Sequence, residues 1–227
     1  AIAATGEYTD FHGGTVEDAM AAINTSLNRV NQVFEREAAI RLILVENNDE
    51  IIYTNSTTDP YTNGNTGAMI DENQTNVDNV IGNGNYDIGH VFGKDSGGLA
   101  SLGSVCNNSQ KASGVTGGPS PVNDPFDIDY VCHEVGHQFG GNHTQNNSCQ
   151  RTSSSAFEPG SASTIMGYAG ICSPNLQNNS NDYIHTYTFD QFTNHINGEG
   201  WANDCAEQLE TGNNIPVAFA GDGGFTI

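Results

Sequence analysis

The stretch that decides the fold is HEVGHQFGGNH, residues 133–143. Residues four apart on a helix lie on one face, so His133 and His137 can offer two imidazole nitrogens to a single metal ion. Gly140 stands where the helix must end, because glycine adopts the left-handed conformation of a helix end without steric cost. The chain can then turn so that His143 supplies a third nitrogen. Three nitrogen ligands with one position left for water are typical of catalytic zinc.

Glu134 adds a carboxylate next to the first candidate ligand. From there it is within reach of a water molecule in the open metal position, which makes it the candidate general base. A lone HExxH pattern arises by chance at a noticeable rate, but the form extended by a glycine and a third histidine is much rarer. The extended form is the signature of the metzincin peptidases, ahead of a methionine-containing turn. The alternative is that these histidines are core or surface residues without a metal.

A methionine stands at a suitable place beyond the motif. The sequence STIMGY, residues 163–168, follows a loop, and Met166 lies 23 residues past His143. A methionine beside a glycine would by itself indicate only core packing. Together with the extended motif, it predicts the Met-turn that lies under the zinc ion in metzincins.

The sequence therefore resembles the metzincin clan of metallopeptidases, and within it the bacterial reprolysin-like (adamalysin-like) zinc endopeptidases. The resemblance covers most of residues 8–205, including Gly97–Ala100 and residues 190–192. It implies an α/β fold with a twisted, mostly parallel sheet, one antiparallel edge strand, an active-site helix and a small irregular C-terminal subdomain. It also implies hydrolysis of peptide bonds in protein or peptide substrates by metal-activated water, with Glu134 as the base.

The same resemblance divides the chain into three parts. We expect an upper, N-terminal subdomain with the zinc helix at 1–143 and a lower subdomain with the Met-turn at 144–205. Residues 206–227 are rich in glycine and are expected to form a tail or a linker. The substrate cleft would run between the two subdomains.

The resemblance also assigns residues to that cleft. An antiparallel edge strand has unpaired backbone groups, so a peptide can bind by adding a strand to it. The residues expected at this edge are Leu99, Ala100, Ser101 and Leu102. Ala169 and Gly170 would wall the specificity pocket.

Tyr168 departs from the reprolysin pattern. Its place two residues after Met166 is similar to that of the metal-facing tyrosine in the astacin and serralysin branches. There it would donate a hydrogen bond to the tetrahedral intermediate. The alternative is a tyrosine that only lines the pocket wall, and the sequence leaves both open.

Composition excludes some partners. The formal net charge is −21, from 27 acidic and 6 basic residues, which disfavours nucleic acid and anionic membranes. Such a surface can attract cations or basic peptides, and acidic side chains also bind calcium, so Ca²⁺ is a second candidate ligand beside Zn²⁺. The alternative is simply a solvated, salt-tolerant surface. No apolar run is long enough to cross a membrane, so we expect no membrane insertion.

The chain is interpreted as the mature part of an exported protein. It starts without a methionine or the apolar segment of a signal peptide, so we expect a signal and an N-terminal pro-segment to precede it in the precursor. Its cysteines form no CxxC pair, and their odd number suggests two disulfides and one free thiol. Cys132, inside the metal-binding helix, is the candidate free thiol. We favour Cys149–Cys172 and Cys106–Cys205 as the disulfides, although sequence alone proves neither.

Three further segments carry predictions. Thr15 begins a helix that reaches about Arg36, with apolar residues at helical spacing and Asp18 completing a capping box. Residues 39–45 are predicted to form a buried strand, because they are rich in branched apolar residues. Residues 107–125 contain serine, glycine and proline and are predicted to be a long connection. His90, in an apolar strand, is predicted to be a core residue with satisfied hydrogen bonds.

Three other functions compete with a general endopeptidase. A catalytically silent binding module could keep the fold, but the intact Glu134 and three intact ligands count against it. A zinc hydrolase of non-peptide substrates is a second alternative, disfavoured by the glycine-flanked edge strand. A peptidase with one dedicated target is the third, and only a digest of a peptide library would distinguish it.

Overall fold

The computed structural model describes residues 1–95, 97–199, 205–210, 212, 213 and 221. Its centre is a four-stranded sheet in the order β1-β2-β4-β3. The strands are β1 (Ile2–Ala4), β2 (His90–Lys94), β3 (Gly97–Ala100) and β4 (Gly114–Gly118). β1 with β2 and β2 with β4 are parallel, whereas β3 is antiparallel to β4 and forms one edge. The predicted α/β fold with an antiparallel edge strand is confirmed.

Six α-helical segments accompany the sheet in the described part of the chain. They are α1 (Gly6–Phe11), α2 (Val16–Ala38), α3 (Thr66–Val77), α4 (Asp124–Phe126), α5 (His133–Gln138) and α6 (Thr186–Asn194). A wider helical turn at Asp127–Cys132 joins α4 to α5, so that the chain runs as one helical stretch into the metal motif. The predicted helix through the motif is confirmed, and it ends next to Gly140, whose φ is +90°.

The long helix α2 begins as predicted. The hydroxyl of Thr15 accepts a hydrogen bond from the Asp18 amide at 3.1 Å and donates one to the Asp18 carboxylate at 2.8 Å. This reciprocal cap satisfies an amide that the helix leaves unpaired. On the inner face of α2, Val30 and Phe34 are buried, and Phe34 packs on Phe139 at the end of the metal-binding stretch. Helix α2 thereby supports α5 from behind.

Two apolar clusters lie on opposite faces of the sheet. One joins α2 and the helical stretch at 124–138 to Phe92, Met166 and Phe192. The other joins Met69 and Val77 of α3 to inward-facing strand residues such as Val91 and Val115. The sheet is therefore covered on both sides, as expected for parallel strands.

The predicted buried strand at 39–45 is wrong. This segment forms no ladder, and Ile43 at its centre is 80% exposed. The amide side chain of Asn31 takes the place of a strand partner, because it donates to the Leu42 carbonyl and accepts from the Leu42 amide, both at 2.8 Å. Backbone groups that would join a sheet are thus satisfied locally.

The predicted connection at 107–125 is also wrong in part, because it contains β4. This strand lies between β2 and β3 and is buried along its whole length. Glycine is uncommon in strands, so the glycines of β4 gave no indication of a strand in the sequence. At least Gly114 has a packing reason, since an added β-carbon would lie 2.4 Å from both Gln138 Oε1 and His90 Nδ1.

Both favoured disulfides are present, Cys106–Cys205 and Cys149–Cys172, and Cys132 is a free, buried thiol. None of the described helices is long and apolar enough to span a membrane. Beyond His143, the described regular elements are α6 and a helical turn at His195–Glu199. The boundary between an upper and a lower subdomain stays a prediction. Most of the predicted tail at 206–227 lies outside the described residues.

Candidate metal centre

The three predicted histidine ligands converge. His133, His137 and His143 each place a ring nitrogen within 4.8 Å of the others, and in the described part of the chain no other such group of His, Cys, Asp or Glu was found. The Nε2 atoms of His137 and His143 lie 3.0 Å apart. Two ligands come from α5, and the third follows the turn at Gly140, as the spacing predicts.

Backbone carbonyls fix the orientation of all three rings. Nδ1 lies 2.7 Å from the Ile165 carbonyl in His133, 2.6 Å from the Gly141 carbonyl in His137 and 2.9 Å from the Gln150 carbonyl in His143. A carbonyl can only accept, so each Nδ1 carries the proton and donates it. Each Nε2 therefore carries a lone pair that is free to bind a metal.

This arrangement fits a zinc ion. Two unprotonated nitrogens at 3.0 Å would repel each other in the absence of a cation between or beside them. Tetrahedral zinc, with bonds of about 2.0–2.1 Å, holds its nitrogen ligands roughly 3.3–3.4 Å apart. The observed spacing is close to that value, and the donor set of three neutral imidazoles is that of a catalytic zinc site.

The electrostatics keep these imidazoles neutral. Burial, followed by the proximity of the other two rings, lowers the pKa of His133 well below its usual value. Burial, together with His143, lowers the pKa of His137 to about 4. Burial also lowers the pKa of His143. A neutral ring is the form that binds a metal, so the site is available at neutral pH.

Glu134 lies beside the ligands in a water-poor environment. Its side chain is 7% exposed, and its Oε2 has no hydrogen-bond partner among the described residues. Burial raises its pKa to about 8. A nearby cation would act in the opposite direction and favour the ionised carboxylate. An unpartnered carboxylate oxygen next to a metal site has a free lone pair with which to accept a proton from water.

Met166 packs beneath the ligand helix. It is fully buried, and an added β-carbon on Gly136 would lie 2.5 Å from its sulfur. The glycine between the two ligands of α5 thus permits the close approach of the methionine turn. Ile165, the residue before Met166, supplies the carbonyl that orients His133. The predicted turn therefore contacts the site through side chain and backbone.

Tyr168 is half-buried next to the ligands. Its ring centroid lies 4.5 Å from that of His143 and 5.7 Å from that of His133. Burial, then the charge of Glu134, raises the pKa of Tyr168 to about 12. The phenol is therefore protonated at neutral pH and can donate a hydrogen bond.

The predicted cleft residues divide between strand and turn. Leu99 and Ala100 lie in β3, whereas Ser101 follows its end and donates to the Ser113 carbonyl at 2.9 Å, and Leu102 is in a turn. In the sheet order, β3 has a single neighbour, β4, so its other edge is free of described strands.

The predicted pocket wall begins directly after Tyr168. Ala169 is buried, and Gly170 is exposed with a φ of +81°. The Gly170 amide donates to Asn175 at 2.9 Å.

Sequence reasoning missed three residues that contact this site. Gly98 packs against Glu134, Gln150 supplies the carbonyl for His143, and Glu158 bonds both to the residue after His143 and to the methionine turn. The glycine pair in β3 could have drawn attention to Gly98. A carbonyl acceptor leaves no trace in the sequence, and Glu158 lies outside both the zinc motif and the methionine turn.

Comparison with known proteins agrees with this geometry. The family model for metallopeptidases of family M12B, reprolysin-like, matches residues 1–195. The chain belongs to this family and is a zinc metalloendopeptidase of the metzincin type. A search among curated proteins found no match.

Proposed function

We propose that the protein is a secreted endopeptidase in which His133, His137 and His143 hold the zinc ion and Glu134 is the general base. One observation carries the proposal: three neutral imidazoles converge beside a buried carboxylate oxygen that has no other partner in the described part of the chain. The donor set supports zinc, and the family supports peptide bonds as the target.

The proposed catalytic roles follow from the positions of the side chains. Zinc at such a site supplies a Lewis acid and a water molecule of lowered pKa. Glu134 would accept a proton from the attacking water and would then pass it to the leaving amine. The burial of Glu134 and the lack of a hydrogen-bond partner for its Oε2 among the described residues leave this carboxylate oxygen available to accept a proton from water.

Tyr168 is proposed to donate a hydrogen bond to the oxyanion of the tetrahedral intermediate. Its protonated phenol and its place 4.5 Å from the His143 ring support this role. A fixed donor is most effective where charge develops in a water-poor site. The alternative, a pocket wall without a catalytic hydrogen bond, predicts a different result on removal of the hydroxyl.

The substrate is proposed to bind along the free edge of β3. Its backbone would pair with an extended peptide, and the strand and turn residues Leu99, Ala100, Ser101 and Leu102 would contact the peptide. Leu99 and Leu102 are 39% and 53% exposed, which supports contact with apolar substrate side chains. Ala169 and Gly170 would wall the pocket opposite this edge.

The protein is also proposed to be exported and to mature by loss of a pro-segment. Two disulfides are typical of oxidising compartments and support secretion. We infer that a pro-segment precedes the chain and is removed before activity. Calcium is proposed as a structural ligand of the acidic surface, on the strength of the net charge of −21.

The decisive experiment is cleavage of casein by wild type and by Glu134→Gln, with zinc content measured on the same samples. Wild type should cleave, lose activity with a chelator and regain it with zinc. Glu134→Gln should keep one zinc per chain while its activity falls by on the order of 10²–10⁴-fold. Near-normal cleavage by this variant would refute the role of Glu134, and wild type without zinc would refute the metal site.

Calcium that raises the melting temperature without restoring activity would show a separate structural site.

A further inference from the structure

Glu158 has a buried carboxylate without a cationic partner. Its residue is 7% exposed, and none of the ion pairs found in the described residues includes it. Burial alone would raise its pKa, but hydrogen bonds from hydroxyls and amides hold the pKa of Glu158 below its usual value. The group is therefore an ionised carboxylate whose charge is met by hydrogen bonds alone.

Those hydrogen bonds come from two separate segments. Oε2 accepts from the hydroxyl of Thr144 at 2.6 Å and from the hydroxyl of Thr164. Oε1 accepts from the amides of Ser163 and Thr164 at 3.0 and 3.1 Å, and from the Ser163 hydroxyl at 3.3 Å. The backbone adds to this link, since the Glu158 amide donates to the Thr144 carbonyl at 2.9 Å.

Each segment is one residue away from a candidate zinc ligand or its acceptor. Thr144 directly follows His143. Thr164 directly precedes Ile165, whose carbonyl orients His133 at 2.7 Å. The Glu158 carboxylate thus links the segment that carries His143 to the segment whose Ile165 carbonyl orients His133.

We propose that Glu158 is a positioning residue of the metal centre: by joining Thr144 to Ser163 and Thr164, it holds His143 and His133 in the geometry that binds zinc. The inference rests on the proposed zinc site. Glu158 touches neither metal nor substrate, so its contribution is to zinc affinity through the ligands. Outer partners of metal ligands commonly contribute 10–100-fold to affinity.

A merely structural role makes a different prediction. If Glu158 only stabilised the fold, its loss would lower the melting temperatures of the metal-free and zinc-loaded proteins by similar amounts. If it positions ligands, its loss also shrinks the stabilisation that zinc adds, because that increment depends on the dissociation constant.

The test is the zinc dissociation constant, measured by competition with a chromophoric chelator, with melting curves of both forms. Glu158→Ala is compared with Glu158→Gln and with Glu72→Ala. Glu72 is a matched control, because its carboxylate also accepts from an amide and a hydroxyl, both of Thr62 at 2.7 Å, in a part of the chain that supplies no ligand. The amide of Glu158→Gln still accepts from the two backbone amides, and threonine hydroxyls can rotate to accept from its nitrogen.

We expect Glu158→Ala to bind zinc about 10–100-fold more weakly than wild type, with Glu72→Ala unchanged and Glu158→Gln closer to wild type. Wild-type affinity in a folded Glu158→Ala overturns the proposal. Should that variant not fold, Thr144→Val removes one hydroxyl at constant shape and is expected to weaken zinc on the order of threefold; unchanged affinity there also overturns it. Absence of zinc from wild type would instead refute the proposed metal site, so the two failures are distinct.

Discussion

The side chain of Glu134 occupies the space that a β-carbon on Gly98 would take. An added carbon at Gly98 would lie 2.1 Å from Oε1 of Glu134 and 2.6 Å from its Cδ and Cγ. No tilt of the carboxylate relieves contacts with three consecutive atoms, so the whole side chain would have to move. The strand proposed to bind substrate and the proposed base are thus packed directly against each other.

Gly98→Ala is therefore expected to displace Glu134. A shift of about 1 Å at a catalytic group can lower the rate on the order of 100-fold, and we expect a loss of that size in kcat with zinc content unchanged. Gly118→Ala in the neighbouring strand is the control, because its added carbon would meet only Phe126 at 4.0 Å. The measurement is peptide cleavage, with metal analysis on the same samples.

A double-mutant cycle separates this clash from general damage to the strand. The β-carbon clash should also lower the stability of Gly98→Ala in the wild-type background. In the Glu134→Ala background, the space beside Gly98 is empty, so Gly98→Ala should cause no such loss of stability. If Gly98→Ala lowered the free energy of unfolding equally in both backgrounds, the added β-carbon would clash with a group other than Glu134. That result would contradict the interpretation.

The sequence predicted the parts of the fold that carry a periodic signal. The helix from Thr15 was predicted from apolar spacing and a cap, and the metal helix from ligand spacing. The buried strand β4 was not predicted, because glycine is uncommon in strands and the close packing of Gly114 against Gln138 and His90 depends on residues distant in the sequence. The false strand at 39–45 has the right residue types, but the Asn31 amide takes the hydrogen bonds of Leu42 that a ladder would need.

In the candidate site, too, only the residues at regular sequence spacing could be predicted. Its three imidazoles could be predicted because they lie at fixed offsets along a helix and the turn after it. The groups that orient them could not, since the carbonyls of Ile165, Gly141 and Gln150 belong to the backbone, which every residue has. Their identity depends on how the chain returns to the site after His143.

The disulfide Cys149–Cys172 is expected to support the third ligand. Gln150, which directly follows Cys149, has a φ of +47° and presents its carbonyl to Nδ1 of His143 at 2.9 Å. Replacing both cysteines with serine should free this segment and weaken zinc binding by about tenfold, through loss of the outer partner. Chelator competition measures the effect.

The other disulfide supplies the control for that experiment. The same double substitution at Cys106 and Cys205 removes a cross-link that holds no carbonyl acceptor of the ligands. It should lower stability without a comparable change in zinc affinity. Equal zinc affinities in wild type and in the Cys149/Cys172 variant would contradict the expected link to His143.

Removal of the Tyr168 hydroxyl distinguishes its two roles. If the phenol stabilises the oxyanion, Tyr168→Phe should lower kcat by on the order of 10²-fold and leave KM nearly unchanged, because the bond forms only in the transition state. If the ring only lines the pocket, phenylalanine should preserve kcat and alter KM or selectivity. Steady-state kinetics on one peptide, with zinc content as the check, decide between them.

His90 should make the stability of the protein depend on pH. The ring extends from β2 and is buried against β4 and α5. Its Nδ1 lies 2.9 Å from Gln138 Oε1, and its Nε2 lies 2.8 Å from the Thr116 hydroxyl. The amide oxygen can only accept, so Nδ1 carries the proton and Nε2 accepts from Thr116 in the neutral ring. Burial lowers the pKa of His90 to about 4.

The sign follows from proton binding in the two states. Between about pH 6.5 and pH 4, the unfolded chain protonates this histidine and the folded chain does not, so stability falls as the pH falls through that window. The contribution is fully present above pH 6.5, and its loss amounts to about 3 kcal/mol when the folded pKa has been passed. Urea unfolding of metal-free wild type and His90→Gln across this range measures it, since glutamine cannot titrate and both proteins share every other group. Wild type should lose more stability than His90→Gln on acidification, and parallel curves would show that His90 is protonated as readily in the folded state as in the unfolded one.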